Sequence, residues 1–446
     1  MLIYAMRLNT LLKILFVAAL FGIYVFFNYM PGNRKIKQKN LLALNGGYEL
    51  ILVSTICILS EFALYFSILF NGGASGGANG GAIGGAIGGA NNGAVEFSPL
   101  ILVINAVVSL ILIAPMYING FIRIFSNSTQ LGAKLRLYII FLWWFPIVNF
   151  FLFYKCCQCA RLEYDFELKK DFRNAKRAEQ LVCKTKYPIL MVHGIFFRDW
   201  KLYGYWGRIP DELTKNGAAV YFGDQQSSSP VELSANEIKR RIMEVIRDTG
   251  CEKVNIIAHS KGGLDSRYAI SCLDMGQYVA SLTTINTPHK GCEFAGKLIN
   301  MTPDKLIASI GKKYEALFTK LGDSTPDFFG GVSELTVEKC AELNKEMPDC
   351  EGVLYQSAGS KMASANASPF PLSVGYRIIA PLEGDNDGLV ATKSMAWGDF
   401  LGIVDPPEKL GVSHGDMIDL TRKNIYGFDV AEFYVKLVSG LKEKGL

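Results

Sequence analysis

Ser260 stands in Ala258-His259-Ser260-Lys261-Gly262-Gly263, directly after the β-rich apolar run Val254 to Ile257 and before Leu264 to Ile270, whose composition suits a helix. A serine on a sharp strand-to-helix turn needs small flanking residues, because the backbone there is strained, and its hydroxyl is presented at the helix N-terminus as a nucleophile. Ala258 takes the place of the first glycine of such a turn, and alanine is the next smallest choice. A hydroxyl at its ordinary pKa is a poor nucleophile, so a base is required. The sequence has only four histidines. His193 ends a strand, His259 adjoins the serine and is expected to point away from it, and His289 follows another strand in Asn286-Thr287-Pro288-His289-Lys290. His414 remains, in the glycine-bounded loop Gly411 to Asp416.

An acid is expected between serine and histidine in chain order, after a strand. Tyr376 to Ala380 reads as that strand, and Glu383-Gly384-Asp385-Asn386-Asp387-Gly388-Leu389-Val390 follows. Asp387 is the first choice, because Gly388 permits a tight turn and Leu389-Val390 re-enter the core; Asp385 is the alternative, and Asp399 and Asp405 read as solvated loop acids. The acid would hold the His414 tautomer and stabilise its imidazolium while His414 takes and returns the Ser260 proton. Pro188 to Val192 reads as a buried parallel strand ending in His193-Gly194-Ile195. The backbone N–H groups of Ile195 and of Lys261, the residue after the nucleophile, are the expected oxyanion donors. His193 is expected to pack and hydrogen-bond that loop.

Four segments, Tyr187 to Gly194, Val254 to Tyr268, Thr283 to Phe294 and Asn386 to Val390, resemble in their order the true bacterial triacylglycerol lipases of the α/β-hydrolase superfamily. The resemblance implies an esterase acting at an interface on long-chain acyl esters, with nucleophile, acid and base at Ser260, Asp387 and His414. It also implies a helical lid after the Thr-Pro-His motif, and Leu298 to Leu335 is amphipathic enough to be one, or to be a fixed cap. Many of these lipases hold a structural calcium. Asp416 matches one of its ligands, but no aspartate lies between Gln356 and Glu383 to supply the other, and no cysteine follows Asp387 to match the family's disulfide. No cofactor is required for the expected chemistry.

The elements that must position these residues are strands alternating with helices. Further strands are expected at Ala218 to Phe222 and Ala280 to Ile285, and a helix from the capping box Ser234 to Glu237 as far as Gly250. That pattern predicts an α/β-hydrolase fold over 187–446, a mostly parallel sheet covered on both faces, with the site at the strand C-terminal ends. Ahead of it the composition changes. Half of the 446 residues are hydrophobic and only 20% charged, and the apolar excess lies in 1–154. Four runs there, about 10–30, 49–70, 99–117 and 137–154, approach the roughly 20 residues that a bilayer-crossing helix needs. They predict an all-α transmembrane region. A Gly-Gly-Ala-rich loop over 71–98 separates the second from the third, and 155–186 reads as a charged juxtamembrane linker.

Bases concentrate in the loops at 31–46 and 118–136 and are absent from the glycine loop, which places the N-terminus and the catalytic domain on the outer face. The basic segment 155–186, beside Cys156, Cys157 and Cys159, argues the other way. Ten cysteines show no paired metal spacing. A net charge of +5 without a basic stripe argues against a nucleic-acid partner. The expectation is a membrane-anchored hydrolase of lipid carboxylic esters. An acyltransferase, phospholipase or thioesterase on the same three residues, and a membrane scaffold with an inert hydrolase domain, are the competing readings.

Overall fold

The computed structural model describes residues 10–29, 39–71, 99–142, 145–195, 204–226, 229–293, 295–297, 327–405 and 410–446. The chain divides into two compact units, Met1–Phe172 and Arg173–Leu446.

The first unit is helical: α1 (Thr10–Tyr29), α2 (Lys39–Asn71), α3 (Pro99–Asn127), α4 (Gly132–Leu142) and most of α5 (Pro146–Arg177), whose last residues belong to the second unit. Lys39–Ile68 and Pro99–Asn127, with mean hydropathies of 2.0 and 2.5, are long and apolar enough to cross a membrane, whereas Ile14–Phe26 is a shorter apolar helix. The run 137–154 is not one helix. It is divided between α4 and α5, and Pro146, which has no N–H to donate, opens the second. Helix α5 then continues through most of the charged segment that reads as a linker. The glycine-rich loop, from residue 72 to 98, lies outside the described residues. Helices α2 and α3 approach closely where Gly47 faces Gly120, since a Cβ on either would stand 2.8 Å from the other's carbonyl oxygen. Glu61 accepts hydrogen bonds from Asn105 Nδ2 and Ser109 Oγ, each at 2.8 Å, which satisfies a carboxylate within the apolar stretch of the helix.

The second unit is built on six parallel strands in the order β2-β1-β3-β4-β5-β6. The strands are β1 (Ile189–Val192), β2 (Val220–Phe222), β3 (Val254–His259), β4 (Val279–Ile285), β5 (Leu354–Ser360) and β6 (Asp399–Val404). The helices are α6 (Ile209–Lys215), α7 (Val231–Thr249), α8 (Lys261–Cys272), α9 (Phe328–Ser333), α10 (Val337–Glu346), α11 (Leu372–Glu383) and α12 (Val430–Glu443). Strand alternation sends Ile189, Met191 and Ile257 into one core with Leu213 of α6 and Tyr434 and Val438 of α12. Leu190, Val192 and Ile256 go into a second core with Ile238 and Ile242 of α7 and Ile270 of α8. Both sheet faces are therefore covered, as parallel sheets require.

Two local expectations are corrected. Helix α7 starts at Val231 behind Pro230, so Ser234 is a buried residue inside the helix and not its cap. Tyr376 to Ala380 is part of α11, and the strand that precedes the acid is β5. A short apolar run has no period by which to tell strand from helix. Here Gly375 and Ile379, one helical turn apart, are the residues α11 buries.

Candidate active site

The nucleophile candidate sits where β3 ends. Ser260 has φ 56° and ψ −132°, and Lys261 is the first residue of α8. A non-glycine residue at positive φ costs about 1–2 kcal/mol, and neighbouring structure must hold it there. Ser260 N–H donates to the Ile285 carbonyl at 2.9 Å, which carries the β3–β4 ladder one residue beyond β3. Its carbonyl accepts from Gly263 N–H at 3.1 Å. Only glycine fits at positions 262 and 263, because a Cβ on Gly262 would collide with the His193 carbonyl and one on Gly263 with the Thr287 side chain. Ala258 is fully buried between β1 and β4, where its methyl group is accommodated.

Asp387 and His414 lie together: His414 Nδ1 is 2.6 Å from Asp387 Oδ2, and His414 N–H donates to the Asp387 carbonyl at 2.9 Å. Asp387 is 0% exposed, yet four donors surround its carboxylate. Oδ1 accepts from Leu389 N–H at 2.9 Å and Val390 N–H at 2.8 Å, and Oδ2 accepts from Asn286 Nδ2 at 2.6 Å as well as from the histidine. A buried carboxylate is tolerated only when satisfied in this way. Asp385 is different. Its side chain is 66% exposed and paired at 3.1 Å with Lys361. Asp399 is exposed on β6, and Asp405 lies 3.0 Å from Lys361.

The other histidines are held elsewhere. His193 packs in the loop after β1, its Nδ1 2.8 Å from the Gly194 carbonyl and its Nε2 2.9 Å from that of Gln225. His289 bonds Thr284 Oγ1 at 2.8 Å and stacks on Trp397, and burial pushes it well below the usual imidazole range. His259, expected to point away from the serine, has its ring centroid 4.5 Å from that of His414 and its Nδ1 2.7 Å from Tyr205 Oη.

Lys261 follows Ser260 directly, and Gly194, the residue before Ile195, lies against the serine. Lys261, as the first residue of α8, has an N–H without a partner in the helix, and Gly194 presses on Ser260 so closely that a Cβ there would stand 2.7 Å from the serine Cβ. The Lys261 side chain turns into the core, 2.6 Å from Asp265 Oδ1. Burial outweighs the lysine's pull and raises Asp265 to about 7.

Asp416, the residue that matches a calcium ligand of the resembled family, is engaged by its own loop. Its Oδ2 accepts from Ser413 N–H at 2.9 Å and Ser413 Oγ at 2.6 Å, and among the described residues no group of three or more His, Cys, Asp or Glu could hold a metal ion. Of the segment 298–335 with lid character, 298–326 lies outside the described residues. Its far end forms α9, capped by Asp327, whose side chain accepts from Gly330 N–H. Sequence reasoning missed Asn286 as the donor to Asp387, although its place at the end of β4 was a signal. It also missed Tyr205, for which spacing offers none.

A family model described as "Putative serine esterase (DUF676)" matches residues 189–319. The chain is similar to a triacylglycerol lipase of Burkholderia plantarii, 32% identical over 183 residues, which are 38% of this chain and 51% of that protein. The triacylglycerol lipase of Pseudarthrobacter phenanthrenivorans is likewise 32% identical, over 176 residues, covering 37% of this chain and 54% of the other. That of Vibrio cholerae is 28% identical over 295 residues, 60% of this chain and 92% of the relative. The chain thus spans about half the length of the first two relatives, and the catalytic-site segments fall inside the matched family region only as far as residue 319.

Proposed function

We propose that the chain hydrolyses carboxylic esters of lipids through an acyl-enzyme on Ser260. The observation that carries the reading is the buried Asp387 carboxylate bonded to His414 Nδ1, in one unit with a serine held at positive φ on a strand-to-helix turn. Ser260 Oγ attacks the ester carbonyl carbon while His414 Nε2 accepts the hydroxyl proton. The negative oxygen that forms is met by the N–H groups of Ile195 and Lys261. Collapse breaks the bond to the alcohol, which leaves with the proton from His414, and water repeats the sequence to release the acid and restore Ser260. Asp387, its carboxylate met by four donors, fixes the histidine tautomer throughout. No metal enters any step.

The lipid substrate is supported by the names of the relatives and by α2 and α3, which are long and apolar enough to hold the chain at a bilayer. Further spans in the first unit, expected from its apolar runs, and an outer-face location of the catalytic unit, expected from the charge pattern of the loops, belong to the proposal. The test is labelling of the full chain by a fluorophosphonate, with loss in Ser260→Ala. A folded protein that is not labelled sinks the enzyme reading in favour of an inert domain. Protease access on intact cells tests the face, and cleavage only after lysis puts the domain inside.

A further inference from the structure

Between the loop after β1 and the ring of His414 lie two buried side chains to which the proposed reaction gives no proton to carry. Tyr205 Oη accepts the N–H of Gly194 at 2.9 Å and stands 2.7 Å from His259 Nδ1. The His259 ring then lies 4.5 Å from that of His414, tilted by 53°. Trp206 meets His259 edge-on at 6.2 Å, and Tyr205, Trp206 and His259 are all buried. Gly194 fits between this chain of groups and the nucleophile: a Cβ there would come 2.8 Å from Tyr205 Oη and 2.7 Å from Ser260 Cβ.

We propose that Tyr205 and His259 are positioning residues: the Tyr205 hydroxyl, shared between Gly194 and His259, and the His259 ring packed against that of His414 hold the Gly194-Ile195 loop and the His414 ring in fixed relation. The proposal rests on the hydrolase reading. Catalysis of that kind depends on donors and base being in place before charge develops, and a displacement of about 1 Å remote from the reacting atoms costs on the order of 10²-fold. The hydroxyl fixes the amide that precedes the Ile195 donor. The imidazole beside it blocks the His414 ring from swinging toward β3. An uncharged neighbour is needed in that position, since a second cation would oppose the imidazolium. Burial, reinforced by the nearness of His414, holds His259 well below the usual imidazole range and so keeps it neutral.

Tyr205→Phe removes one oxygen and leaves the packing. With a short p-nitrophenyl ester, kcat should fall by roughly tenfold to 10²-fold while KM stays within about twofold, the pattern of an interaction used in the transition state. His259→Asn keeps an acceptor near the Nδ1 position but gives up the ring against His414, so it should recover only part of the kcat lost in His259→Leu; His259→Leu should match Tyr205→Phe, and the pair Tyr205→Phe/His259→Leu should lose no more than either alone. A readout independent of turnover is 15N-imidazole NMR, where the four histidines are few enough to assign: Tyr205→Phe should shift His259 and leave His289 unmoved. Wild-type kcat in Tyr205→Phe, additive losses in the double variant, or a purely KM effect would overturn the positioning role while leaving the hydrolase reading intact. A wild-type protein without turnover or fluorophosphonate labelling overturns both.

Discussion

Asp387→Asn exchanges one oxygen for an amino group in a carboxylate that has no spare capacity. Two backbone N–H groups, of Leu389 and Val390, require an oxygen at Oδ1, and two more donors, Asn286 Nδ2 and His414 Nδ1, require one at Oδ2. If the asparagine oxygen serves the backbone pair, its NH2 faces two donors. The imidazole then relieves the conflict by moving its proton to Nε2, where it can no longer accept the serine proton. The alternative flip sets NH2 against the two backbone groups instead. Losing the working tautomer costs about 10⁴-fold in kcat, or roughly 5 kcal/mol at about 1.36 kcal/mol per decade. Weakened charge-assisted bonds add a stability loss of about 1–3 kcal/mol. Initial rates on p-nitrophenyl esters, with thermal melts to verify folding, measure both. Asp385→Asn is the control: with that side chain 66% exposed and bonded to Lys361, its kcat should stay within about twofold. If Asp385→Asn proves more damaging than Asp387→Asn, the assignment of the acid is wrong.

Asn286→Ala should lower stability by about 2–3 kcal/mol and kcat by roughly tenfold, because it withdraws donors from Asp387 and Ser360 and leaves alanine at φ 50°; Asn286→Gly, free of the φ penalty, should recover only the strain part of the stability, about 1–2 kcal/mol, and not the rate. Gly194→Ala should cut kcat by about 10²-fold or more in a soluble, folded protein, since its methyl would displace Ser260 or Tyr205; unchanged kinetics would mean that the loop yields freely. Asp265 titrates higher in the folded chain, about 7 against 3.8, so its contribution to stability is full below pH 3.8 and is lost as the pH rises through about 7. Urea melts between pH 5 and 8 should show that decline, and Asp265→Asn should flatten it; equal slopes for both proteins would argue against it.

The elbow was legible because chemistry and local structure coincide there: an apolar β-branched run, a serine among small residues and a helix-compatible segment occur within a few positions. β5 was not, because Gln356, Ser357, Gly359 and Ser360 give it no apolar signature. It is buried by hydrogen bonding instead, with Gln356 Nε2 on Thr283 Oγ1 at 2.8 Å and Ser357 Oγ on the Trp397 carbonyl at 2.7 Å. His414 could be chosen by elimination among four histidines. The orientation of His259 could not, since the twist that brings it against His414 is set by strands far apart in the chain. The same holds for Tyr205, whose partners are 11 and 54 residues away.

An all-parallel sheet also determines when this protein becomes competent. No two neighbouring strands can pair as a hairpin, so each pairing waits for a long crossover to close. Asp387 and His414 follow β5 and β6, the last strands among the described residues, while Ser260 and its turn rest on β1, β3 and β4. A nascent or heat-stressed molecule could therefore carry a shaped elbow long before, or long after, it has a base to activate it. Loss of the β5–β6 margin would silence the serine while most of the helical signal survives, which makes catalysis an earlier witness of damage than circular dichroism.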